Sequence, residues 1–222
     1  MSRCDASGSV SVACSTSPVS SPSSAPASSS SSASLPADGS GDPLHALSAC
    51  HRHLALEARI LGELAPRIAA AIGNGGSIDG AMRADAESVL RCFDTLAPEL
   101  YADEETDLFP ALIESMAGSD PVCLREMATG LTAEHRELDI VWHRLREPLV
   151  EVAAGRTPAH ALNEAAVTHW LALCDRHLAR EDEELLPMAV RLIDDATLAR
   201  IGRSMRDRLR DGSASGACSA GR

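Results

Sequence analysis

Five side chains able to hold a metal, His51, Glu104, His135, His177 and Glu181, each occupy a slot where helical periodicity calls for an inward apolar residue. Burying an imidazole or a carboxylate is costly unless something satisfies it, so their recurrence on inner stripes asks for a common partner. Imidazole offers a neutral nitrogen to a cation, and a glutamate can bridge two cations while offsetting their charge. Together these are the donors of a non-haem iron pair held between helices. His177 and Glu181, at i and i+4, can both be supplied by one helix face. Zinc, satisfied by four tetrahedral ligands, accounts less well for a duplicated motif. The 7 cysteines show no C-x-x-C spacing, which speaks against an iron–sulfur cluster.

The duplication is visible in two stretches that align without a gap, "LYADEETDLFP" from Leu100 to Pro110 and "HLAREDEELLP" from His177 to Pro187. Glu104 falls on Glu181, Leu108 on Leu185, Phe109 on Leu186 and Pro110 on Pro187, but Leu100 falls on His177. One copy carries a histidine four residues ahead of its glutamate and the other carries a leucine.

Long helices must position these residues. The chain is 45% hydrophobic but only 2% aromatic, which suits an aliphatic helical core and predicts an all-α class. The first helix starts near Leu44, carries Leu47, His51, Leu54, Ala58, Leu61 and Ile68 in phase, kinks at Pro66 and stops at "GNGGS". The second runs from about Asp79 to Met116, with bends expected at Pro98 and Pro110. Ser119-Asp120-Pro121 reads as the cap of the third, which continues to Gly155, and Thr157-Pro158 as the start of the fourth. Short loops between four long helices make neighbours antiparallel, predicting an up-down-up-down four-helix bundle over residues 43–194. A short C-terminal helix, 195–211, follows as a cap on the bundle. Residues 1–42, rich in Ser, Ala, Pro and Gly, and residues 212–222 read as disordered tails.

In antiparallel helices, residues equally far from the connecting loop lie at one height. Measured from loop centres near 76, 119 and 156, His51, Glu104, His135 and His177 agree to roughly 5 Å at ~1.5 Å rise per residue. The other polar residues have plainer readings: His53 is solvated, His143, His160 and His169 are off the layer, and Asp103, Glu105, Asp182, Glu183 and Glu184 form acidic faces in water.

A formal net charge of −12, with 20 Lys+Arg against 32 Asp+Glu, argues against a general nucleic-acid binder. No apolar run is long enough for a signal segment or a membrane span, and scattered cysteines fit reduced thiols, so the expected compartment is the cytoplasm.

His51, "ADEETDLFP", "EHREL" and "HLAREDEELLP" together resemble the hemerythrin-like HHE cation-binding domain over about residues 43–190. The resemblance implies a four-helix bundle holding two non-haem iron ions, or one, and binding or sensing O2, a related small molecule or iron. An oxidase, a peroxidase-like enzyme or repair of iron–sulfur proteins is the alternative it implies. By position it implies His51, His135 and His177 as terminal nitrogen ligands and Glu104 and Glu181 as bridging carboxylates. At Leu100 the family pattern has a histidine, and three outcomes stay open. Water or hydroxide takes the position and opens one iron to ligands. A nearby side chain substitutes, Asp139 from about 40° around the third helix or Tyr101 after a swing of ~100°. Or the site holds one metal or none and the bundle is structural.

Overall fold

The structure, a computed structural model, describes residues 42–116 and 122–218. Among these every regular element is a helix and none is a strand. The N-terminal Ser-rich stretch up to residue 41, the expected cap at Ser119-Asp120-Pro121 and residues 219–222 lie outside the described residues. No helix among the described residues is long and apolar enough to cross a membrane.

The first run is α1 (Pro43–Gly73), capped by Asp42, whose side chain accepts from the amide of Leu44. α1 passes through Pro66 without interruption and ends at Gly73, and Gly75 just beyond it has φ 62°, a conformation that a Cβ disfavours. There the amide of Gly76 reaches back to the carbonyl of Ala71 at 2.8 Å and closes the last turn. The second run is interrupted twice. It comprises α2 (Gly80–Arg91), a first π-helical segment (Cys92–Leu96), α3 (Ala97–Asp103), a second π segment (Glu104–Leu108) and α4 (Phe109–Ser115). The third is α5 (Val122–Ala153), closed by Gly155 at φ 73° in the same way as α1. The fourth comprises α6 (Glu164–Arg180), a third π segment (Glu181–Leu185) and α7 (Leu186–Leu192). It starts later than the Thr157-Pro158 expected, because Asn163 caps it by accepting from the amide of Ala166. α8 (Asp195–Cys218) extends past the expected limit at 211.

α1 packs on α2 and α6, and α5 packs on α2 and α6, while α8 lies against α1 and α3. The core between them is aliphatic, filled by Leu47, Leu61, Leu108, Leu131 and Leu185 among others. Phe93, Trp142 and Trp170 form its one aromatic wedge among the described residues, with Phe93 and Trp170 edge-to-face at 4.6 Å.

The π segments have a common cause in the sequence. Each ends two residues before a proline, Pro98, Pro110 or Pro187. A proline inside a helix lacks the donor for the carbonyl four residues back and its ring collides with that carbonyl. Widening the preceding turn by one residue relieves the collision, and the amides of Ala97, Phe109 and Leu186 donate five residues back to Cys92, Glu104 and Glu181. The expected bends at Pro98 and Pro110 thus take the form of π turns, and Glu104 and Glu181 each open one.

Candidate metal centre

α1, the second π segment, α5, α6 and the third π segment bring His51, Glu104, His135, His177 and Glu181 into one buried layer. All five are at most 1% exposed. Glu181 lies at its middle, 3.4 Å from His51 Nε2, 3.7 Å from His135 Nε2 and 3.3 Å from His177 Nε2. Glu104 reaches His51 Nε2 and His135 Nε2, each at 3.2 Å. Two sets of ligand atoms result, His135–His177–Glu181 and His51–Glu104–Glu181, with the atoms of each set within 4.8 Å of one another.

Every one of these imidazoles is aimed by a carboxylate outside the layer. His51 Nδ1 donates to Asp182 at 2.7 Å, His135 Nδ1 to Glu105 at 2.8 Å and His177 Nδ1 to Glu134 at 3.0 Å. This turns Nε2 inward, where its lone pair would serve a cation once the ring is neutral, as metal-binding histidines require. Two of the carboxylates are themselves held, Glu105 by Arg136 and Glu134 by Arg180. Glu105 and Asp182, expected on solvated acidic faces, are therefore part of the site's support. The repeat did carry their signal: each directly follows the inward glutamate of its own copy and serves the histidine of a neighbouring helix.

The donors fit a cation. Glu104 Oε2, His135 Nε2, His177 Nε2 and both oxygens of Glu181 are buried and find no hydrogen-bond partner among the described residues. A buried polar atom left so costs about 1–3 kcal/mol, and a cation among several that face one another within a few ångströms would satisfy them together.

The carboxylates draw protons onto the layer. Burial opposes the charged form of His51, but its bond with Glu104 and the charges of Glu181 and Glu104 outweigh this and raise its pKa to about 9. His135 behaves alike, burial being outweighed by Glu104 and Glu181, and rises to about 10. Burial, with Glu104 alongside, lifts Glu181 to about 8. For Glu104 burial is outweighed by the nearby imidazoles of His135 and His51, which bring it down to about 2. Desolvation lowers His177.

The two halves of the layer differ. Superposing the repeats sets Leu100 opposite His177 and Asp103 opposite Arg180, and the like roles of His51 and His135 set Cys50 opposite Glu134. One half thus has a histidine, its orienting acid and the arginine that holds the acid. The other has Leu100, 2% exposed in the apolar core, and the buried thiol of Cys50. Where the His177 half has a second histidine and its orienting acid, the His51 half has an aliphatic side chain and a thiol at the matching positions.

Of the two substitutes for Leu100, Asp139 stands outside both sets of ligand atoms. Asp139 is 58% exposed and lies 3.3 Å from His143. Tyr101 stacks on the His135 ring at 3.9 Å and meets His177 edge-on at 6.1 Å, beside the half that already has two imidazoles. A groove of about 420 Å³ runs over Tyr101 and His135 between Pro98, Glu105, Arg136 and Ile140. His143 and His169 are exposed, and Asp103 is buried rather than solvated.

Compared with known families, the chain matches the model of the hemerythrin HHE cation binding domain over residues 42–189, well over half its length. No curated protein matches it.

Proposed function

We propose, since this chain belongs to the hemerythrin HHE cation-binding family, that it is a non-haem iron protein that binds or senses O2, a related diatomic molecule or iron itself. One observation carries the reading, the set of buried ligand atoms on Glu104, His135, His177 and Glu181 that face one another without hydrogen-bond partners. In it His51, His135 and His177 are terminal nitrogen ligands and Glu104 and Glu181 are carboxylates shared by two ions. The pairwise packing of α1, α2, α5 and α6 supports an up-down-up-down four-helix bundle around them. Iron so held supplies reversible one-electron chemistry and a position for a diatomic ligand. The chain's own residues aim the imidazoles through Asp182, Glu105 and Glu134, exclude water with an aliphatic core and set the charge of the layer. Buried Cys50, Cys92 and Cys174, inert as thiols, fit a reducing compartment, the cytoplasm.

The reading is tested by metal analysis of protein purified without air, followed by its visible spectrum on admitting air. Iron retained in stoichiometric amount, with a new absorption band in air, is the expected result. Protein that takes up no iron when folded in its presence contradicts the reading. A second reading, a di-iron oxidase or peroxidase-like enzyme, draws on the groove over Tyr101 and His135, which offers an organic substrate a place beside the layer.

Leu100 decides how many ions stay. Buried on α3 one turn before Glu104, it stands where a second imidazole for the His51 half would be, so that half binds its ion more weakly. Leu100→His is expected to raise the iron content per chain or to slow auto-oxidation of the loaded protein. Unchanged values of both mean that another group already fills the position.

A further inference from the structure

α8 begins at Asp195, beyond the end of the family domain at residue 189, and is an addition to it. Its docking is apolar, through Ile201 and Met205, which are buried. A half-buried ionic contact ties it to the bundle through Arg208. The guanidinium Nε donates to Asp103 Oδ1 at 2.5 Å, and Nη2 donates to Asp107. These two aspartates flank Glu104, one residue before it and three after, on the π turn that Glu104 opens.

The layer's other half is built differently. Glu181 shares its helix with His177, and the imidazole of His177 is tied through Glu134 to Arg180 on that helix. A metal held by both residues would grip this helical run at two points one turn apart. On α3 the equivalent positions are Leu100 and Asp103, so Glu104 has no ligand partner one turn back. The π turn interrupts the regular hydrogen-bond ladder at Glu104 as it does at Glu181, but only on the Glu104 side does a residue of α8 bracket it. Arg208 spans that turn with a planar fork matched to two carboxylates.

We propose that Arg208 is a positioning residue for the metal centre, in that the appended helix α8 holds the Glu104 turn at the height where a histidine at position 100 and its metal bond would otherwise hold it. The proposal rests on the metal-binding reading of the layer and concerns the half containing His51 and Glu104. It makes α8 a built-in latch: whatever detaches Arg208 loosens chiefly the ion at His51, because the other keeps His135, His177 and Glu181 as ligands even when Glu104 shifts.

The test uses the full chain loaded with Co(II), whose visible bands report ligand geometry, and follows transfer of the metal to a chelator. Arg208→Ala is expected to release part of its cobalt roughly tenfold faster than wild type, the range seen for residues supporting metal ligands, with altered bands for that fraction. Arg208→Lys, which keeps the charge but not the fork, is expected to fall between them and decides the matter if the alanine variant unfolds. In a Leu100→His background the same Arg208→Ala change is expected to have little effect, because the new imidazole ties down the helix. A role confined to docking α8 would change thermal stability in both backgrounds alike and leave the bands unmoved. Release rates and bands equal to wild type in both Arg208 variants overturn the proposal. A wild-type chain that takes up no cobalt overturns the metal-binding reading, and this one with it, so the two failures are told apart by the wild type alone.

Discussion

Glu181→Gln is expected to abolish metal binding in both halves of the layer while the metal-free protein keeps its fold. Glu181 is common to both sets of ligand atoms, so its loss acts on both ions, whereas a change at any one histidine acts on one. Supporting residues alone are worth about 10–100-fold in metal affinity, and loss of a shared carboxylate is expected to exceed the upper end, about 100-fold. The effect on folding runs the other way. With its pKa raised to about 8 by burial and by Glu104, Glu181 holds a proton at neutral pH, and glutamine is a neutral group of the same shape. Neither oxygen of Glu181 has a hydrogen bond for the substitution to break. The melting temperature of the metal-free variant at pH 7 should therefore lie within about 2 °C of wild type, the range of a near-neutral substitution. Metal titration by calorimetry and a thermal melt check both halves of the expectation. Retained metal affinity, or a collapse of the metal-free fold, contradicts the role assigned to Glu181.

A second large effect concerns pH. His51, His135 and Glu181 have pKa values raised to about 9, 10 and 8. A group raised in the folded state contributes stability that is fully present below its ordinary value, 6.5 for these histidines and 4.5 for Glu181, and lost as pH rises through the folded value. Metal-free protein is thus expected to weaken steadily from neutral pH to about 10. Glu104, lowered to about 2, acts only at acid pH, where its contribution fades as pH falls from 4.5 toward 2. Metal binding has the opposite slope above neutrality, because imidazoles must be neutral and carboxylates ionised to act as ligands, so a cation displaces the protons these groups hold. The gap between the melting temperatures of metal-loaded and metal-free protein should then widen between about pH 6 and pH 9. Calorimetry in buffers of different ionisation enthalpy should show protons released on binding. A gap that stays constant or narrows would mean that the layer does not exchange protons for metal.

The helical class, the apolar stripes and the common height of the inward polar residues were legible in the sequence, because each depends on the 3.6-residue period and on loop positions counted along the chain. The later start of α6 was not, because Thr157-Pro158 and Asn163 both offer caps and only packing chooses between them. Nor was the support of the histidines. Glu105, Asp182 and Glu134 look like ordinary surface acids one at a time, and only across helices does each meet an imidazole. The angle for Tyr101 is drawn for a regular helix, which the π turns on either side of α3 set aside, whereas Asp139 stands on the regular helix α5 and is exposed beside His143.

What the sequence by itself determined is which side chains face inward and at what depth, since periodicity and chain length settle both without reference to neighbouring helices. Only the tertiary structure decided which half of the layer each residue serves, which acids orient which imidazoles, and that Arg208 of α8 grips the turn carrying Glu104. Those are contacts between residues far apart in the chain, chosen by packing among many acids of equal local character, and no local pattern encodes the choice.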